Sequence, residues 1–325
     1  MPATPLSSRR WADRVRWLAA ILLLIGLAAP AVAQKRIALS FDDAPRQPGA
    51  FLTPQDRAQR LVKGLRQAKV RQAVFFVTTG NIAKPVNGDG ADQLKRYVAA
   101  GHVLANHTDT HPKLSDVDAA AYLADLDKAD HWLRAQPGFR PWFRYPYLDE
   151  GGKDKAKRDA IRAGLAARGL TNGYVTAESS DWNMESLAVA ATKAGKKIDM
   201  AALRDLYVES HVEAAEFYDR LAIATTGRSP AHVLLLHETD IAALFIGDLV
   251  KALRARGWTI VTGDEAYADP IAIEATRYDT PYAQGTLTEM LAWQKKLPAP
   301  RWYERNEIDL ANRLFAERVL GETGK

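Results

Sequence analysis

Cysteine is missing from this chain altogether. No disulfide can staple it and no thiolate can bind a metal, so any metal site must be built from His, Asp or Glu. The same absence says nothing about redox compartment, because an exported protein can do without disulfides. Also missing is a clustered basic stripe with interleaved aromatics, which argues against nucleic acid as a partner. The net charge of +5 over 325 residues overstates the basicity. Arg9, Arg10, Arg14 and Arg16, against Asp13 alone, lie in the first 33 residues, and the rest of the chain carries +2. No internal repeat and no low-complexity linker divides the sequence. The apolar run Leu18–Ala29 is shorter than the ~20 residues a membrane-spanning helix needs. It follows a basic front and precedes Pro30 and the small-x-small run Ala31-Val32-Ala33. Residues 1–33 therefore read as a secretory signal peptide cleaved before Gln34. The expected location is periplasmic or secreted, with no stable membrane insertion after cleavage.

What is present is an ordinary globular composition, 47% apolar and 26% charged, arranged as alternating strands and helices. Strands are expected at 35–41, 73–77, 103–105, 142–144, 173–176, 233–236 and 258–261. Helices are expected at 54–68, 91–100, 115–134 (capped by Ser115), 154–168 and 241–256. Repeated strand–helix–strand units imply an α/β fold with a mainly parallel sheet, closed or nearly closed into a barrel. Residues 34–263 form this barrel. Two regions depart from the alternation. An insert at about 183–229 holds two helices, near 186–194 and 200–225. Residues 264–325 are expected to form a helical C-terminal extension carrying Trp293, Trp302 and Tyr303, which either walls the cleft or, as such aromatics commonly do, packs on the barrel and covers apolar surface.

Chemistry-bearing clusters fall just after predicted strands. Asp42-Asp43 places two repelling carboxylates where a strand hands over to a loop, an arrangement a metal would justify. Taken alone, such a pair is a common turn feature. His107 and His111 have the four-residue spacing that puts two imidazoles on one side of a helical turn. Arg144-Tyr145-Pro146-Tyr147 offers a guanidinium able to hold a carboxylate bidentately. Asp181-Trp182 follows the fifth strand, and His237 ends the apolar run Val233–Leu236. In a parallel barrel all these points converge on one rim. Two His, one Asp and a second carboxylate are the minimum set for metal-assisted hydrolysis of an acyl group.

Taken in order, the clusters resemble the five motifs of the polysaccharide deacetylases of the NodB-homology type, a carbohydrate esterase family. They are Ser40-Phe41-Asp42-Asp43-Ala44-Pro45, His107-Thr108-Asp109-Thr110-His111, Arg144-Tyr145-Pro146-Tyr147, Asp181-Trp182 and Leu235-Leu236-His237. Ala44 stands where the family usually has Gly, and Leu148-Asp149-Glu150 where a Gly often follows the third motif. The resemblance covers about residues 35–262. It implies a distorted, incompletely closed (β/α) barrel and removal of N-acetyl groups from an N-acetylated oligo- or polysaccharide. It further implies Asp43, His107 and His111 as ligands of a divalent metal. Zinc suits this set, and cobalt or nickel would fit. Asp42 is then the base, oriented by Arg144, and His237 the acid, held by Asp181. The backbone N–H of Tyr147 is the oxyanion donor, and Trp182 and Leu235 line the acetyl pocket. Hydrolysis of another amide or an O-acetyl ester, or glycan binding without catalysis, are the alternatives.

Overall fold

The first strand explains the rest of the fold. β1 (Arg36–Ala44) is buried along nearly its whole length, which suits a central strand covered on both faces. It pairs in parallel with β2 (Val74–Val77) and β6 (Ala231–His237). Arg36 and Ile37 also pair with β7 (Thr259–Ile260). The remaining strands are β3 (Val103–Asn106), β4 (Phe139–Phe143) and β5 (Thr171–Asn172). The sheet runs β5-β4-β3-β2-β1-β6, and all its pairings are parallel. Among the described residues no strand pairing joins β5 to β6; residues 176–177 after β5 lie against β6, with an isolated Ala177–Leu234 bridge, so the barrel is incompletely closed. This computed structural model describes Met1 and residues 34–322; residues 2–33, which carry the export-signal reading, lie outside the described residues.

The helices are α1 (Pro54–Gln67), α2 (Gly90–Ala99), α3 (Ala119–Leu133), α4 (Lys155–Ala167), α5 (Asp181–Lys193), α6 (Met200–Thr226), α7 (Asp240–Ala255), α8 (Gly263–Tyr267), α9 (Leu287–Gln294) and α10 (Ile308–Val319). Among the described residues none is long and apolar enough to cross a membrane. Residues beyond 263 share an apolar cluster with β1 and β6: Ile271, Leu287 and Met290 pack with Ala38 and Val233. Tyr303 is buried, whereas Trp302 is partly exposed and donates to Glu307.

Four expectations are corrected. Ser115 does not cap α3; it sits in a 3₁₀ turn (Leu114–Asp116), and Asp118 caps the helix by accepting from Ala121 N. The helix expected from Ser186 begins at Asp181, and the Ser186 hydroxyl instead donates to the Trp182 carbonyl one turn back, a within-helix bond. The strand expected at 173–176 is displaced to Thr171–Asn172. After Gly173 the chain turns its carbonyls from the sheet toward Arg144, which donates to both Gly173 O and Tyr174 O. The segment 107–111 is a loop, not a helical turn. Thr108 and His111 have φ of 69° and 60°, in the left-handed region. Its amides are taken by side chains: Asn106 accepts from Thr108 N, and Asp125 from Asp109 N and Thr110 N.

Candidate active site

Adjacent residues of a regular strand point to opposite faces, so Asp42 and Asp43 would not share a mouth if β1 stayed regular. It does not. The β1–β2 register slips between Phe41 and Ala44, with one extra residue in β1. Asp43 takes a φ of 66°. This is a bulge, a device that re-aims side chains at strand ends. The β1–β6 register meanwhile sets Asp42 directly beside His237. Both carboxylates, His107 after β3, Arg144 after β4 and His237 at the end of β6 thus meet at the C-terminal rim of the strands.

Asp43, His107 and His111 each present one ligand atom, all within 4.8 Å of one another. Asp43 Oδ1 lies 3.0 Å from His111 Nε2 and 3.5 Å from His107 Nε2, yet it is buried and makes no well-formed hydrogen bond. The His107 ring explains this. Its Nδ1 lies 2.9 Å from the Arg144 carbonyl, which only accepts, so in the neutral ring Nδ1 holds the proton and Nε2 turns a lone pair toward the carboxylate. Acceptors facing each other call for a cation between them, and an N₂O donor set of this kind fits a divalent metal. Burial opposes ionisation of Asp43, but opposing effects led by the Arg46 guanidinium outweigh it and hold this carboxyl well below its ordinary range.

Arg144 is almost fully buried. One Nη1 contact, 2.6 Å, goes to Asp42 Oδ1 and another, 2.8 Å, to Ser40 Oγ. Nη2 reaches the Tyr267 hydroxyl at 2.8 Å, and the guanidinium lies 3.9 Å from the Phe76 ring centroid. Tyr267 sits outside every motif, and nothing in the sequence marked it.

Across the mouth, Asp181 Oδ1 lies 2.7 Å from His237 Nδ1, and Asp181 Oδ2 accepts from His237 N at 2.8 Å. Asp181 starts α5, where a negative charge suits the helix N-terminus. Burial disfavours charge on both partners. Their mutual attraction wins, lowering the Asp181 pKa and raising that of His237. Nδ1 being occupied, the ring's remaining nitrogen for chemistry is Nε2.

These groups line an open cleft of about 520 Å³. Tyr147, with φ 59° and half its surface exposed, stands over His111 at 4.6 Å between ring centroids. Trp182 and Leu235 border the cleft on the His237 side, while Arg144 and Asp181 stand behind it as supports. Several lining residues went unread in the sequence, among them Arg46, Glu178, Asn306 and Ile308. Arg46 and Glu178 lie within a few residues of motifs, and that proximity was the available signal. Glu178 is pushed up to about 8, first by burial and then by Glu289.

An incompletely closed (β/α) barrel with a histidine–carboxylate centre at its strand ends is the class that fold and site define. Residues 29–167 match the family model described as polysaccharide deacetylase. A chitin deacetylase of Colletotrichum lindemuthianum is 34% identical over 113 residues, covering 34% of this chain and 42% of that protein. The peptidoglycan-N-acetylglucosamine deacetylase PgdA of Listeria monocytogenes is 24% identical over 248 residues, 75% of this chain and 41% of that protein. The chain thus spans about two fifths of the length of these curated relatives. Among solved structures, a mutant of a CE4 family pseudoenzyme from Bacillus anthracis superposes with a TM-score of 0.50 at 15% identity, covering 72% of this chain and 68% of that one. That likeness concerns the fold alone.

Proposed function

We propose that the protein is a metal-dependent hydrolase that removes N-acetyl groups from an N-acetylated glycan outside the cytoplasm. The observation that carries this reading is the convergence of Asp43, His107 and His111, flanked by the Asp42–Arg144 pair and faced by the Asp181–His237 pair. Asp43, His107 and His111 would hold the metal; their nitrogen and oxygen donors suit zinc, with cobalt or nickel as fits. Such a cation supplies Lewis acidity at the acyl carbonyl.

The chain's own groups do the proton work. Asp42 has one oxygen fixed by Arg144, which leaves Oδ2 to take a proton from the attacking water. The amide nitrogen leaves poorly unless protonated, so an acid must stand opposite the base. His237 Nε2 gives that proton, and Asp181 favours the charged imidazolium. The backbone N–H of Tyr147 donates to the oxyanion, and Leu235 with Trp182 borders the acetyl group. Acetate release from N-acetylated chitooligosaccharides, peptidoglycan fragments and O-acetylated xylan tests the reading. Turnover of the first two, lost with chelator and restored by zinc or cobalt, is the expected result. Release from xylan alone would replace the amide with an ester.

A further inference from the structure

The C-terminal extension does more than cover apolar surface: it grips the loops on both sides of the cleft. On the His111 side, Asp149 and Gln284 form an antiparallel bridge, Glu150 N donates to Ala283 O at 2.8 Å, and Gly285 N to Leu148 O at 3.2 Å. Gln284 Nε2 also donates to Tyr147 O. On the His237 side, the whole Asn306 amide is engaged. Its Nδ2 donates to Glu178 Oε1 at 3.1 Å and to Tyr218 Oη at 3.3 Å, and its Oδ1 accepts from Ser180 Oγ at 3.2 Å. Glu178 and Ser180 lie just ahead of Asp181. Between the grips, Leu287 N donates to Val175 O and Thr288 Oγ1 to Thr176 O. Behind Asn306, Arg305 is paired with Glu209 and Glu213 at 2.6 and 3.1 Å. Ile308 lines the same cleft as Trp182, and each keeps about two fifths of its surface exposed. With Leu235 they give the cleft an apolar rim on this side, the kind of surface a sugar's C–H face can cover.

We propose that residues 283–308 form a substrate-selecting wall: the two grips fix the spacing of the Tyr147 and Glu178–Asp181 loops, and Ile308 with Trp182 receives a sugar ring, so that the site takes a short N-acetylated oligosaccharide in preference to the interior of a long chain. The cleft volume, about 520 Å³, lies within the ~300–1,000 Å³ of small-ligand pockets, a size that suits a short oligosaccharide. The inference rests on the deacetylase reading for its substrate class. Asn306 is a positioning residue, since it acts on the cleft through Glu178 and Ser180.

The test uses the full chain, zinc-loaded, with N-acetylglucosamine oligomers from dimer to hexamer and a soluble long polymer. The wild type should favour oligomers by at least about tenfold in kcat/KM. Asn306→Ala should narrow that preference about tenfold. Ile308→Ser, at an exposed position that does not threaten folding, should weaken the oligomers about tenfold with the loss in KM. Preference unchanged in both variants, or a uniform fall in kcat on all substrates, overturns the wall. Hexamer binding by calorimetry separates this from the deacetylase reading. Binding without acetate release in the wild type would sink the chemistry alone. Equal binding by wild type and Ile308→Ser would sink the wall alone.

Discussion

At the scale of the residue, the site divides its carboxylates by environment. Asp43 faces two imidazoles and Arg46, whereas Asp42 is held by Arg144. Substitutions should therefore separate metal binding from proton transfer. Asp42→Asn keeps size and the Arg144 contact but cannot take a proton. We expect kcat to fall by roughly 10²–10⁴ with metal content unchanged by elemental analysis. His107→Ala should instead lose the metal, and full occupancy in that variant would contradict its role as a ligand. The Asp181–His237 pair makes a pH prediction. In the proposed role His237 must be protonated to act as the acid, and Asp181 raises its pKa above the ordinary 6.5 against the opposing effect of burial. The raised value keeps the active form present to higher pH. Asp181→Asn removes the charge, so the alkaline limb of the kcat/KM profile should move to lower pH. An unmoved limb would show that another group is the acid.

At the scale of the element, legibility followed range. Long helices and apolar strands were readable because their periodicity is local. Asp42, His107, Arg144 and His237 were readable because each ends a strand, and parallel strand ends converge. What depended on distant partners was not readable. The strand at 173–176 dissolves because Arg144, about 30 residues earlier, captures its carbonyls. The 107–111 loop escapes helical geometry because Asp125 on α3 takes its amides. Tyr267 and Asn306 reach the site across the barrel from a segment with no motif. Arg57 on α1 belongs to the same category. It is buried, with Nε 3.3 Å from Glu238 Oε1, Nη1 3.3 Å from Asp240 Oδ1, and donations to Arg46 O and Gln47 O. One side chain thereby ties the loop after β1 to the residues that follow His237. Arg57→Met would strand two buried carboxylates. We expect a loss of about 3–5 kcal/mol in urea unfolding, and a loss below about 1 kcal/mol would show that the network tolerates its removal.

At the scale of the whole molecule, buried acids set how stability answers to pH. Glu185 on α5 is almost fully buried, and its Oε2 accepts from Ile241 N at the start of α7. Its neighbour Asp240 accepts from Phe51 N and Leu52 N. Glu185 thus joins the insert helix, α7 and the loop after β1. Burial first, and Asp240 second, push its pKa from 4.5 up to about 7. Between those values the folded chain holds a proton that the unfolded chain has released. By linkage the Glu185 contribution to stability must fall as pH rises through that window and stay lost above it. Asp43 and Asp181, with lowered values, tilt stability the opposite way, so the wild-type curve alone cannot isolate the effect. The difference between Glu185→Gln and wild type can. Gln keeps an oxygen for Ile241 N and carries no charge at any pH. The variant should match wild type near pH 4 and exceed it at pH 8 by on the order of 3 kcal/mol, read from urea unfolding at both values. A gap that stays constant with pH would mean that Glu185 does not hold a proton in the folded barrel, and that Asp240 tolerates a second charge at the junction of three elements.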